Sequence, residues 1–223
     1  MDQIIKRCNQ VEMYRWDSVV PAVFQGSGKI TNAFLHLGIG DLRQAARHVQ
    51  MLPYGRNVHP DNPLVVLEEQ LGTCSTKHAL ICRLAHEQHV ETALTVGIYE
   101  MSERNTPSVG AVLQRYGLLS LPEAHCYIRL GSRRIDLTGI PTWPDTEPIT
   151  HFLFETEIEP DQILDHKPAI HKRFLESWCH QHRLQQHTPQ DLWSIREECI
   201  AALDSQASTC SGDRPSRGLK KKS

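Results

Sequence analysis

The segment Ser75–Gln88 is rich in helix formers, and Ala79, Leu80, Ile81, Cys82, Leu84 and Ala85 make it apolar around most of its circumference. A helix of that kind has no solvent face of its own, so it predicts a buried helix that other elements must enclose. The segments that follow supply the enclosure. Glu91–Met101 alternates, with Ala93, Thr95, Gly97, Tyr99 and Met101 on one face, and its Thr, Val and Ile content predicts a strand. Ala124–Leu130 and Arg133–Leu137 predict two short strands joined at Gly131-Ser132, a tight hairpin turn. One buried helix followed by successive strands describes an α+β domain.

The flanking segments are read from their punctuation. Val19–Phe24 predicts a short strand, and Asp41 is placed to cap a helix running to about Met51, ended by Pro53 and Gly55. Leu64–Leu71 predicts one or two helical turns. Pro107–Gly117 predicts a short helix capped by Ser108. Beyond Pro144, prolines punctuate the chain, Lys167–Leu184 and Asp191–Leu203 read as helices, and Thr188-Pro189-Gln190-Asp191 reads as a helix start. Trp178 and Trp193, with Phe174, Leu175 and Leu192, fit a helical core. These features divide the chain into a core with its N-terminal segment over 1–145, a helical C-terminal extension over 146–204 that caps the core, and a disordered basic tail over 205–223.

Composition narrows the partners. In 223 residues, 24 Lys and Arg stand against 26 Asp and Glu, so no cationic excess favours nucleic acid or an anionic membrane surface. No run approaches the ~20 apolar residues that cross a bilayer. Charge at the N-terminus and seven cysteines without a CxxC pair predict a cytoplasmic protein with reduced thiols. The expected partner is a protein, a peptide or a small amide substrate, with no nucleic acid, no membrane and no metal or organic cofactor; the oligomeric state is left open.

The chemistry concentrates in Leu71-Gly72-Thr73-Cys74-Ser75. A glycine lets the backbone turn sharply and come close to a substrate. A cysteine where a helix starts has its thiolate stabilised by free N–H groups and the positive end of the dipole. The same amides can hold a developing oxyanion. A nucleophilic thiol needs a base and a group that orients the base, and His125 and Asp136, on the two strands of one hairpin, are the candidates. Gln70 is a candidate side-chain oxyanion donor, and His78, one helical turn after Cys74, is a rival base. Gly26-Ser27-Gly28-Lys29 lacks the first glycine and the Ser or Thr of a phosphate loop. Cys179-His180-x-His182, with His171 and His187 near in sequence, matches no zinc spacing and reads as a polar helix.

Gly72-x-Cys74, the buried helix, Val90–Gly97, Ala124-His125-Cys126-Tyr127-Ile128 and Arg134-Ile135-Asp136-Leu137-Thr138 together resemble the core of the transglutaminase-like superfamily, within the papain-like cysteine enzymes. The resemblance covers about Leu64–Gly139. It implies a Cys-bearing buried helix packed on an antiparallel sheet, with Cys74 as nucleophile, His125 as base and acid, and Asp136 as the group that orients it. Cys126 stands where an aromatic residue often follows the histidine, and Leu137 where proline often follows the aspartate. The implied activity is acyl transfer or amide hydrolysis through a thioester, as a protease, amidase or transamidase. The alternatives are a catalytically inactive peptide- or protein-binding module on the same fold, and a metal-binding protein that uses the His-rich C-terminal helices.

Overall fold

The computed structural model describes residues 21–139, 147–182 and 186–210, with residues 204–210 as backbone only. Four helices precede the sheet: α1 (Lys29–His36), α2 (Leu42–Met51), α3 (Val65–Glu69) and α4 (Cys74–Glu87). Asp41 caps α2, its carboxylate accepting the Gln44 N–H at 2.9 Å, as its position predicted. The helix α1 was not anticipated, because its N-terminal N–H groups are satisfied from far along the chain. The Glu87 carboxylate accepts from Ile30 N (3.0 Å), Thr31 N (2.7 Å) and the Thr31 hydroxyl (2.6 Å). A carboxylate of the protein itself thus fills the place where a phosphate loop would hold its anion. Of the expected strand Val19–Phe24, the first two residues lie outside the described ones, and residues 21–24 form no strand.

The sheet has four antiparallel strands in the order β3-β2-β1-β4, from β1 (Ala93–Met101), β2 (Leu121–Leu130), β3 (Arg133–Ile135) and β4 (Phe154–Ile158). The hairpin at Gly131-Ser132 is present, with Gly131 in the left-handed region at φ 57°. The short α5 (Gly110–Arg115) follows β1, but Ser108 does not cap it. Ser108 sits at φ 86°, and its N–H and that of Gly110 both donate to the Glu103 carboxylate. The mixed α+β class read from the sequence therefore holds.

The segment 146–204 is not the purely helical cap that its composition suggested. Its strand β4 adds to the free edge of β1, pairing Leu94 with Ile158 and Gly97 with Glu155. Only then come α6 (His166–Gln181) and α7 (Pro189–Cys210). The expected tail from 205 begins inside α7, which runs to Cys210; residues 211–223 lie outside the described ones. The sheet lies between two cores. Leu94, Val96, Ile98, Ala124, Cys126 and Ile128 face α1–α4, whereas Tyr99, Met101 and Leu121 join α5, α6 and α7. With helices on both faces, β1 is buried almost throughout rather than on one face alone.

Candidate active site

Cys74 is the first residue of α4. Thr73 caps the helix: its hydroxyl accepts Thr76 N–H at 3.4 Å, and Thr76 Oγ1 accepts Thr73 N–H at 3.0 Å. This reciprocal box fixes the entry of the chain and leaves the Cys74 N–H without an intrahelical acceptor. The requirement for Gly72 is packing. A β-carbon there would lie 2.9 Å from Thr76 Oγ1 and 3.0 Å from Lys77 Cγ and Val66 Cγ2.

The hairpin brings the other two candidates together. His125 Nε2 donates to Asp136 Oδ2 at 2.6 Å. The β2–β3 register pairs Ile128 with Ile135, which sets Asp136 level with Tyr127, so His125 and Asp136 meet diagonally and not as direct cross-strand partners. The other Asp136 oxygen accepts from Thr138 N (2.9 Å) and Thr138 Oγ1 (2.6 Å), which fixes the carboxylate plane. With Nε2 engaged, Nδ1 is the nitrogen left to His125 for its hydrogen bond with Cys74. Cys74 and His125 are 7% and 8% exposed, and the Asp136 side chain keeps 43% of its surface.

The electrostatics favour a charge-separated pair. The Cys74 thiol is held well below its ordinary range by the hydrogen bond from Cys126, by the Lys167 ammonium and by His125, against burial, which opposes ionisation. Burial pulls His125 down, but Asp136, through charge and hydrogen bond, and then Cys74, raise it to about 10. Asp136 is correspondingly held down: burial opposes ionisation, and His125 and His78 outweigh it. Cys126 is pushed well up, first by its bond to Cys74 and then by burial, so it stays a neutral donor.

His78 is not a competing base, because both its nitrogens are occupied. Nδ1 donates to the Cys74 carbonyl at 2.6 Å and Nε2 accepts the Leu137 N–H at 2.6 Å, which defines a neutral tautomer, and burial lowers its pKa. It ties the helix start to the strand end that carries Asp136. Gln70 is not brought to the thiol either. It ends α3 in the left-handed region at φ 55°, exposed, with its amide donating to the Leu67 carbonyl at 2.6 Å.

Two neighbours of the thiol were not singled out from sequence. Lys167, at the start of α6 and 7% exposed, places Nζ 3.6 Å from Cys74 Sγ and donates to Ser75 Oγ at 2.8 Å. Cys126 Sγ lies 3.7 Å from the same Ser75 Oγ. Nothing local marks Lys167 among the lysines of a polar helix start. The His-rich stretch is engaged with backbone: Cys179 Sγ donates to the His187 carbonyl, and His182 and His187 bond the Trp178 and Tyr116 carbonyls. Among the described residues no cluster of three His, Cys, Asp or Glu side chains is placed to hold a metal, and no helix is long and apolar enough to cross a membrane. Trp178 is core as expected, but Trp193 lines a cavity beside Ser75.

Compared with known proteins, the chain matches no family model, no curated protein and no solved structure.

Proposed function

We propose that this protein is a cysteine-dependent acyl-transfer enzyme of transglutaminase-like, papain-like type, acting on an amide or related acyl bond through Cys74, His125 and Asp136. The observation that carries the reading is the coupled geometry: a thiol at a helix start in hydrogen-bond contact with an imidazole whose far nitrogen is held at 2.6 Å by a carboxylate. A binding surface has no need of a thiol shifted downward or of an imidazole locked in one orientation.

The steps follow from the protonation states. The Cys74 thiolate attacks the carbonyl carbon, and the charge that develops on oxygen meets the Cys74 N–H at the helix start. As the C–N bond breaks, the imidazolium gives its Nδ1 proton to the leaving amine, and Asp136 keeps the ring oriented throughout. The neutral imidazole then takes a proton from water or an acceptor amine, which attacks the thioester and frees the thiolate. Every step uses side chains of this chain.

p-Nitrophenyl acetate tests this without knowledge of the natural substrate. The expected result is acetylation of Cys74, seen by peptide mass spectrometry, with release of more than one nitrophenolate per chain. Cys74→Ala should abolish both. His125→Ala should end turnover, because water then has no base. Acetylation of the intact protein without turnover would defeat the enzyme reading and leave a reactive thiol in a binding module.

A further inference from the structure

A cavity of about 330 Å3 opens between the start of α4 and the two C-terminal helices, and Ser75 and Lys167 form its wall toward the thiol. Its charged lining is Arg56, Lys167, Arg196 and Glu197, three cations against one anion, with Trp193 alongside. His171 also lines it; burial lowers its pKa, and Nε2 contacts the Pro122 carbonyl at 2.8 Å.

The three cations are not equivalent. Arg196 is bound bidentately by the buried Glu123 at 2.7 and 2.6 Å and also reaches Glu197 at 2.7 Å. Arg56, at the mouth, donates to Glu197 at 2.7 Å. Lys167 meets no carboxylate at hydrogen-bond distance among the described residues. Its contacts are Ser75 Oγ and the Cys74 sulfur, so its close counter-ion is the nucleophile itself.

That arrangement has a consequence for the acyl-enzyme, and it rests on the reading of Cys74 as nucleophile. When the thiolate becomes a thioester, the imidazolium proton leaves with the amine and the sulfur loses its charge. The His125–Asp136 pair adjusts internally, but the buried Lys167 ammonium is left without its anion, a state that a low-dielectric site penalises. We propose that the substrate supplies the replacement: its acyl part carries a carboxylate that enters this cavity and pairs with Lys167, with Arg56 guarding the entrance. The uncovered charge is a single positive one, which fits a monocarboxylate better than a phosphate dianion. Ser75 Oγ, already 2.8 Å from Nζ, stands beside the place the carboxylate would take.

Iodoacetate and iodoacetamide test the charge preference directly. They alkylate through the same carbon with the same leaving group, and they differ in whether a carboxylate or an amide ends two bonds from the sulfur, within reach of Lys167. The ratio of their rates at Cys74 cancels the thiolate population. It is measured on the full chain near neutral pH, by peptide mass spectrometry, against N-acetylcysteine. The expected ratio of iodoacetate to iodoacetamide is at least tenfold above that of N-acetylcysteine. It should fall about tenfold in Lys167→Gln, be retained in Lys167→Arg, and fall a few-fold in Arg56→Gln, which alters only the exposed mouth.

A wild-type ratio equal to that of N-acetylcysteine, with fast iodoacetamide reaction, would overturn the carboxylate proposal and leave the nucleophile intact. A raised ratio unchanged by Lys167→Gln and Arg56→Gln would assign the attraction to His125 and overturn it as well. Should Lys167→Gln fail to fold, the wild-type ratio and Arg56→Gln decide. A Cys74 inert to both reagents would overturn the nucleophile reading and this proposal together.

Discussion

If Cys74 and His125 form a thiolate–imidazolium pair, folding moves a proton from sulfur to nitrogen without changing the number bound, and this has a thermodynamic signature. The His125 pKa is raised from 6.5 to about 10, so its stabilisation is complete below the unfolded value and is lost as pH rises toward 10. The Cys74 pKa is lowered from 9.0, so its contribution is complete above 9 and is lost as pH falls through the folded value. Between about pH 7 and pH 8.5 the native pair binds one proton, on His125, and the unfolded pair binds one, on Cys74. The pair therefore adds no slope to stability in that window. In the double variant Cys74→Ala/Cys126→Ala, where neither sulfur can carry the charge, the native state keeps the His125 proton that Asp136 supports and the unfolded state has none. Stability should then fall by about 1.4 kcal/mol per pH unit relative to wild type, or about 2 kcal/mol across the window. Urea denaturation of both proteins at several pH values measures it, since contributions from other groups cancel in the difference. Curves that run parallel would mean a neutral thiol beside a neutral imidazole in the resting protein, and the charge-separated site would be refuted.

Two substitutions address the surroundings. Gly97 lies opposite His125 across the ladder, and a β-carbon there would stand 2.4 and 2.5 Å from carbons of the Phe152 ring, so Gly97→Ala should cost ~1–3 kcal/mol by overpacking. Adding Phe152→Leu should recover much of that loss in a double-mutant cycle, and additive losses would count against the contact. Gln70 holds a left-handed backbone that a side chain disfavours by ~1–2 kcal/mol, so Gln70→Gly should leave stability equal or raised and Cys74 alkylation unchanged. A drop in Cys74 reactivity in that variant would return Gln70 to the site.

What was legible in the sequence was local. The all-round apolar pattern of Ala79–Ala85 marks a helix with no outside, and Thr73 at its start and Gly131 in the hairpin act through their immediate neighbours. Cys74, His125 and Asp136 were legible as an ordered set because each sits at the end of such an element. The strand Phe154–Ile158 was not, since two glutamates and a threonine in five residues carry no strand pattern of their own. It forms because β1 offers an unpaired edge and because Arg129 and Arg134 hold Glu155 at 3.2 and 2.8 Å. The helix α1 was hidden for the same reason, its cap being a glutamate 56 residues away in sequence from Thr31. Lys167 is the sharpest case: it lies 93 residues from Cys74, and only the return of the chain through β4 sets α6 against the thiol.

That return changes what the C-terminal segment is for. Read as composition, 146–204 looks like a cover, and α6 and α7 do seal the second core against Tyr99, Met101 and Leu121. The same segment also balances the charges at the thiol. A thiolate and the Asp136 carboxylate against the His125 imidazolium alone would leave one negative charge in a pocket where Cys74 and His125 are almost wholly enclosed, a costly state. Lys167 brings the sum to zero, and its own pKa is raised, against burial, by Cys126, Cys74 and Glu123. Glu123 could not be there as a carboxylate without Arg196 from α7, which binds it bidentately within the same buried wall. Each charge close to Cys74 is thus matched by one from another element, and two of the matching cations come from helices that lie beyond the catalytic-looking third of the sequence. The ionisation of the thiol is therefore a property of the whole described fold, not of the helix start alone.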